Sequence, residues 1–314
     1  MNHHNADPDP FSALAPQPGP HPARASKIRP LAEAAAAIAD GMLLGIGGWT
    51  LYGHPMALVR ELVRQRRRNL RLAPSAASIA PDLLIGAGCA AEVHCVFITL
   101  EEFGLAPAFR RAAETGSVRI FEMDGPGFAG ALRAAACDLP FGLIPDMCTD
   151  LPKVNPARYR PYPVPQGQRR LLAVQPLAPD VTIIHGQAAD AHGNVQLYGP
   201  PAFDVLLATA SRKVIATVDR IVGPEEIRMA PHRTKFPASL VDMVVEAPFG
   251  AHPTASADRY GIDAEHFRLY ARAARSQEGM DDYLRAYASS DSDEADYMAR
   301  VGVPALLKAA ALHR

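Results

Sequence analysis

The sequence predicts an α/β fold, an open and mainly parallel sheet flanked by helices, on three observations. From residue 31 onward, short apolar runs of strand length alternate with stretches whose apolar residues recur at helical spacing. That alternation is how a parallel sheet and its crossover helices read in one dimension. Two of the apolar runs end in glycine-centred turns, Gly45-Ile46-Gly47-Gly48-Trp49 and His185-Gly186-Gln187, and glycine lets backbone approach a ligand closely. Hydrophobic residues make up 48% of the 314, enough for one large α/β core or two modest ones.

Taken in order, residues 32–39 read as a short helix and 42–46 as a buried strand. Residues 55–68 are expected to be helical: Met56, Val59 and Val63 fall on one face, with Leu58 and Leu62 alongside. Pro55 at the first turn costs no intrahelical hydrogen bond. Residues 69–74 and 93–100 read as strands, 107–115 as a helix closed near Gly116, 118–123 as a strand, 126–137 as a helix and 141–144 as a strand. Residues 145–168 are studded with proline and lack periodicity, so a long loop over the body is expected. A second series follows: strand 181–185, hairpin arm 195–198, helix 203–210, and strands 213–218 and 240–246. Beyond Asp263 the chain turns helical, and 289–294 reads as an acidic surface turn before the last helix. Residues 1–26, rich in Pro, His, Asp and Ala, are expected to form a disordered lead-in, leaving 27–314 as a single domain.

Composition excludes several classes of function. A formal net charge of −1 points to neither nucleic acid nor an anionic membrane as partner. Residues 31–48 are apolar enough to suggest a membrane span, but Glu33 and Asp40 interrupt them, and their glycines suit a strand and turn. The start lacks the basic, apolar, small-residue order of a secretory signal. Cys89, Cys95, Cys137 and Cys148 show no Cys-x-x-Cys pair and read as reduced thiols. A cytoplasmic protein is expected.

The motifs narrow the chemistry. Gly45-Ile46-Gly47-Gly48 resembles a dinucleotide loop, but Thr50 stands where a third small residue belongs, and residues 69–74 supply no acidic residue for a ribose. Gly86-Ala87-Gly88-Cys89-Ala90-Ala91 fits the letters yet precedes a strand instead of following one. The turn at 45–55 leads into a helix start, whose unpaired amides and partial positive charge would suit a thioester oxygen, carboxylate or phosphate; a turn without a ligand is the plainer alternative. Arg64, Arg66, Arg67 and Arg68 read as a solvated helix end complementing the dipole. His185, Asp190 and His192 do not fall on one face, and Gly193-Asn194 beside them is ordinary turn chemistry, so no metal is expected. Glu101 and Glu102 follow an apolar strand at its carboxyl end, where ligands of open α/β sheets sit, and either suits acid/base work or a solvated loop. Glu122, Asp124 and Glu246 raise the same question more weakly.

Several spaced motifs together resemble the family I coenzyme A transferases, and among them the alpha (A) subunits of the glutaconate CoA-transferase group. The resemblance runs from about Leu31 to about Tyr287. It rests on Asp40-Gly41 through Gly47-Gly48-Trp49 and Pro55, then Leu139-Pro140-Phe141, His185-Gly186-Gln187 with Asp190 and Gly193-Asn194, Glu225-Glu226-Ile227, and Ala247-Pro248-Phe249-Gly250-Ala251-His252-Pro253. Two positions depart from the usual pattern: Trp49 replaces a phenylalanine, and Gly45 stands where an apolar residue is customary. Trp49 and Val245-Glu246-Ala247-Pro248 are similar to a side branch, the CoA-ester hydrolases that open a ring in steroid catabolism.

The resemblance implies a CoA-transferase (NagB/RpiA-like) fold, a CoA thioester as substrate and no tightly bound cofactor. It implies that Gly47, Gly48 and Trp49, with Gln187 and Asn194, bind substrate or CoA. A glutamate would attack the acyl-CoA to give an anhydride; CoA returns to form a glutamyl thioester, which an acceptor carboxylate resolves. That glutamate belongs to a beta subunit, in a Ser-Glu-x-Gly type motif that this chain lacks. A heterodimer or heterotetramer with such a beta subunit is therefore expected. In the hydrolase branch an alpha-subunit glutamate after the third strand serves as general base on water. Glu101 is the position that would carry that role, with a pKa raised by partial shielding. A non-catalytic ligand-binding protein on the same scaffold is the third reading.

Overall fold

The computed structural model describes residues 25–167 and 169–311. Most of the expected lead-in, residues 1–24, lies outside the described residues; Gln168 does too. Seven strands form the main sheet: β1 (Leu43–Ile46), β2 (Leu70–Pro74), β3 (Ala90–Cys95), β4 (Arg119–Glu122), β5 (Val181–Gly186), β6 (Val214–Val218) and β7 (Met243–Glu246). Their order is β7-β6-β5-β1-β2-β3-β4, and every pairing is parallel. The chain builds outward from β1 to β4, then returns to the other side of β1 for β5. The reversal opens a crevice above the carboxyl ends of β1 and β5, where open α/β sheets bind ligands.

Besides short helical turns at Leu151–Val154 and Pro224–Met229, the helices are α1 (Leu31–Ala36), α2 (Met56–Arg64), α3 (Ile79–Gly86), α4 (Pro107–Thr115), α5 (Gly125–Ala136) and α6 (Asp204–Ala210), followed by α7 (Ala264–Ala273), α8 (Gln277–Tyr287), α9 (Glu294–Val301) and α10 (Val303–Ala311). Strand alternation sends Leu44, Ile46 and Ile183 into one core with α1–α4, α7 and α8, while Leu43 joins α5 and α6 on the opposite face and Ile184 a third cluster. Strands covered on both faces read as continuous apolar runs, hence the four buried residues of β1. Each fully buried Leu or Ile contributes roughly 1.5–3 kcal/mol. Gly45 is the exception to the apolar run. A Cβ there would lie 2.1 Å from Thr182 Oγ1 on β5, so the close approach of β1 and β5 requires glycine.

Several expectations are corrected. The helix expected over 55–68 ends at Arg64, and the arginines expected to be solvated divide: Arg64 is buried, while Arg66 and Arg68 are exposed. The strand expected over 93–100 is two pieces. The second, Phe97–Ile98, leaves the main sheet and pairs in parallel with Ala76–Ala77. Residues 145–168 are not simply loop: they contain a helical turn, Leu151–Val154, and the strand Tyr159–Tyr162. With Gly142–Pro145 and Leu171–Val174, that strand forms an antiparallel sheet packed over α5. Helix α3 had no counterpart among the expected elements.

The carboxyl-terminal helices anchor to α2 through a buried ion-pair group. The Arg60 guanidinium, 1% exposed, binds both carboxylate oxygens of Glu294, donates to the His252 carbonyl (2.8 Å) and lies 3.5 Å from the Tyr297 ring centroid. Arg64 shares the same carboxylate at 3.3 Å. Asp293 caps α9 in a reciprocal box with Asp296. The acidic stretch at 289–294 thus ends in a structural cap and an internal counter-ion. Among the described residues, no helix is long and apolar enough to cross a membrane.

Candidate functional site

The glycine turn leaves β1 at the crevice, and its conformation is fixed from three sides. Gly48 has φ +96°, and a Cβ there would come 2.6 Å from His54 Nδ1. The buried His54 ring lies 2.9 Å from both the Gly47 and Thr50 carbonyls, and burial pushes its pKa down to about 4. A neutral ring has one proton to give. The Ser78 hydroxyl already serves the Thr50 carbonyl, so the His54 proton is assigned to Nδ1, donating to Gly47.

Unpaired amides were expected at this turn, and the structure corrects that. Gly47 N–H donates to the Ile183 carbonyl (2.8 Å), Gly48 N–H to Asp204 Oδ1 (2.9 Å), Trp49 N–H to the Tyr52 carbonyl (2.8 Å) and Thr50 N–H to the Ala76 carbonyl (2.9 Å). The first two amides of α2 are also taken, by His54 and Gly250. The turn is a rigid wall, and hydrogen bonding to a ligand falls to side chains.

Those side chains line a cavity of about 260 Å³ above the ends of β1 and β5. Gly48, Trp49 and Gln187, placed together from sequence, all face it; Gly47 lies beneath, where a Cβ would meet Ile184 and Asp204. Tyr52, Leu197 and Pro200 supply apolar surface. Trp49 is stacked on Phe203 (centroids 6.1 Å apart, planes at 22°), which brings the start of α6 to the cavity wall.

Asp204, the first residue of α6, is the side chain that sequence reasoning missed. It is 4% exposed, lines the cavity, and accepts from Gly48 N–H with one oxygen. Burial pushes its carboxyl up to about 7, against the partial relief of that hydrogen bond. In sequence it looks like an ordinary acidic residue in a helix's first turn.

Gln187 is oriented by its neighbours. Its Oε1 accepts from Tyr198 N–H (2.8 Å) and its Nε2 donates to Ser256 Oγ (3.0 Å), which donates to Asp219 Oδ2 (2.6 Å). The backbone donor fixes which end of the amide is oxygen. Asp219 Oδ1 faces His185 Nε2 at 3.5 Å in a fully buried setting, behind the cavity.

The remaining expected residues lie elsewhere. Glu101 and Glu102 are exposed on a short turn beyond Phe97–Ile98 and do not line the cavity, so the shielding expected of Glu101 is absent in this chain. The turn is nevertheless tied to the site: Thr99 N–H donates to Ala77, whose neighbour Ala76 holds Thr50. Glu101 has φ +52°, a conformation that costs a non-glycine residue about 1–3 kcal/mol. Asn194 is also outside the cavity. Its amide donates to Asp190 Oδ2 (2.7 Å) and its oxygen accepts from Ala238 N–H (3.0 Å), bracing a turn. Asp190 takes the His192 and Asn194 amides as well, each at 3.0 Å. Asp124 caps α5 through Gly127 N–H, and Glu246 accepts from Ile221 N–H. Among the described residues, no three His, Cys, Asp or Glu side chains converge to hold a metal ion.

Residues 29–247 match the protein family described as coenzyme A transferase. The chain belongs to the coenzyme A transferase family. Within that family it is 34% identical over 283 residues to the cholesterol ring-cleaving hydrolase IpdA subunit of Mycobacterium tuberculosis, covering 86% of this chain and 95% of that one. It is 34% identical over 270 residues to a protein of Archaeoglobus fulgidus; the match covers 84% of this chain and only 60% of the longer relative. Among solved structures, glutaconate coenzyme A-transferase from Acidaminococcus fermentans superposes with a TM-score of 0.84 at 27% identity, covering 90% of this chain and 95% of that one. The expected fold is therefore the observed one.

Proposed function

We propose that this chain is the A subunit of a heteromeric, cytoplasmic CoA-transferase, which moves CoA between an acyl-CoA and a carboxylic acid. The observation that carries the reading is the cavity at the β1/β5 crevice, within a chain of the coenzyme A transferase family. Its lining is largely apolar, with Gln187, Asp204 and the polar ends of Tyr52 and Trp49 among it, and contains no Ser, Cys, Lys or Glu among the described residues. Such a site holds and orients an acyl group, and leaves the nucleophile to come from elsewhere. A beta subunit bearing the catalytic glutamate fills that role. Its carboxylate attacks the thioester and expels CoA thiolate. The thiolate then attacks the glutamyl carbonyl of the anhydride, releasing the first carboxylate and leaving a glutamyl-CoA thioester for the acceptor acid. Gly47, Gly48 and Trp49 shape the wall beside the acyl group, and Gln187 presents an amide hydrogen to it.

A second reading, CoA-ester hydrolysis with Glu101 as base, is favoured by one observation. Glu101 sits in a strained conformation on a turn linked through Ala76–Ala77 to the glycine turn. A partner docking over this edge would shield it and raise its basicity. Co-expression with a beta subunit, followed by thioester assays with and without an acceptor acid, separates the two. Transfer predicts loss of acyl-CoA only when acceptor is present, with Glu101→Gln lowering the rate less than tenfold. Acceptor-independent loss abolished by Glu101→Gln overturns the transferase reading.

A further inference from the structure

We infer that Asp204 and Gln187 recognise an oxygen on the acyl chain, and that the preferred ligand is an apolar acyl group carrying a keto oxygen, not a second carboxylate. This inference rests on reading the cavity as the acyl site of a CoA-transferase-family subunit. The walls contributed by Trp49, Tyr52, Leu197 and Pro200 suit hydrocarbon. Asp204 stands among them with one oxygen on Gly48 N–H, and its other oxygen has no partner among the described residues. Among the described residues the Gly48 amide is the one group hydrogen-bonded to its carboxyl; of the titratable groups nearby, Tyr52 lines the same cavity and His54 is held neutral behind Gly48. A carboxyl pushed up to about 7 carries a proton about half the time at neutral pH, and the protonated form donates a hydrogen bond. Gln187 lines the same cavity, and its amide nitrogen carries a second N–H besides the one donated to Ser256 Oγ. A keto oxygen, which only accepts, satisfies such donors. A second carboxylate would enter an apolar space whose described lining holds no Arg, Lys or His, beside a group that itself resists ionisation.

Trp49 is the sole tryptophan of the chain and lines this cavity, so its fluorescence reports binding independently of turnover. Full-length protein is titrated with 3-oxohexanoyl-CoA, hexanoyl-CoA and glutaryl-CoA at pH 6 and pH 8, as wild type and as Asp204→Asn. The expected order at pH 6 is 3-oxohexanoyl-CoA tightest and glutaryl-CoA at least tenfold weaker. A keto oxygen only accepts, so the preference for 3-oxohexanoyl-CoA over hexanoyl-CoA falls about tenfold between pH 6 and pH 8 in wild type, following the protonated fraction of a group near 7. In Asp204→Asn that preference stays constant with pH. Equal affinity for glutaryl-CoA, or a wild-type preference that does not change with pH, overturns the inference and leaves the acyl-CoA site standing. Failure of all three thioesters to bind, alone or with the partner chain, overturns the site reading and the inference together.

Discussion

Asp204→Asn isolates one buried ionisation and carries a magnitude that can be worked from the structure. The folded chain holds this carboxyl at about 7, against an ordinary 3.8, because burial disfavours the charge. Below pH 3.8 the group is protonated in both the folded and unfolded chain and imposes no electrostatic penalty. Between 3.8 and about 7 the unfolded chain releases the proton and the folded chain keeps it, so folded-state stability falls as pH rises, by about 1.4 kcal/mol per pH unit. Above pH 7 the full penalty is roughly 4 kcal/mol. Asparagine preserves an oxygen for Gly48 N–H and removes the ionisation. Urea denaturation of both proteins from pH 5 to pH 8 reads the difference, and the other titrating groups cancel in the comparison. Asp204→Asn is expected to gain roughly 3 kcal/mol relative to wild type across that range. A difference that stays flat with pH, or wild type gaining on the variant, refutes the reasoning.

Gly48→Ala places a side chain at φ +96° and 2.6 Å from His54, so a loss of about 2–4 kcal/mol and a shifted Trp49 emission are expected by denaturation and fluorescence. Glu294→Ala leaves the Arg60 and Arg64 guanidiniums buried without their shared carboxylate. Denaturation is expected to show a loss of about 3–5 kcal/mol. Asn194→Ala removes the brace between Asp190 and Ala238; about 1–2 kcal/mol of stability is lost while KM of the reconstituted enzyme stays within twofold.

The alternation that marks an α/β sheet was legible because helices such as α2 and α4 are amphipathic and the central strands apolar, and helix α4 falls on its expected bounds. Helix α3 was not, because all eight of its residues are buried and it shows no polar face to set a period. Arg64 looked like a dipole complement at a helix end, whereas its partner Glu294 lies 230 residues away. In the site, Gly48, Trp49 and Gln187 could be grouped through the family resemblance of the motifs that carry them, and they line one cavity. The fate of the turn's amides could not be read, since Ile183, Asp204 and Ala76 come from three other segments. Asp204 was hidden for the same reason: only the fold strips its carboxyl of water and aims it at Gly48.

The most direct test of a half-site completed by another chain is to trap the acyl intermediate. The purified pair is incubated with acyl-CoA, quenched with hydroxylamine, and the modified carboxyl is mapped by mass spectrometry, with this chain alone as control. The expected result is one hydroxamate on a glutamate of the partner and no thioester turnover by this chain by itself. Modification of Asp204 or Glu101, or turnover by the solitary chain, would contradict it.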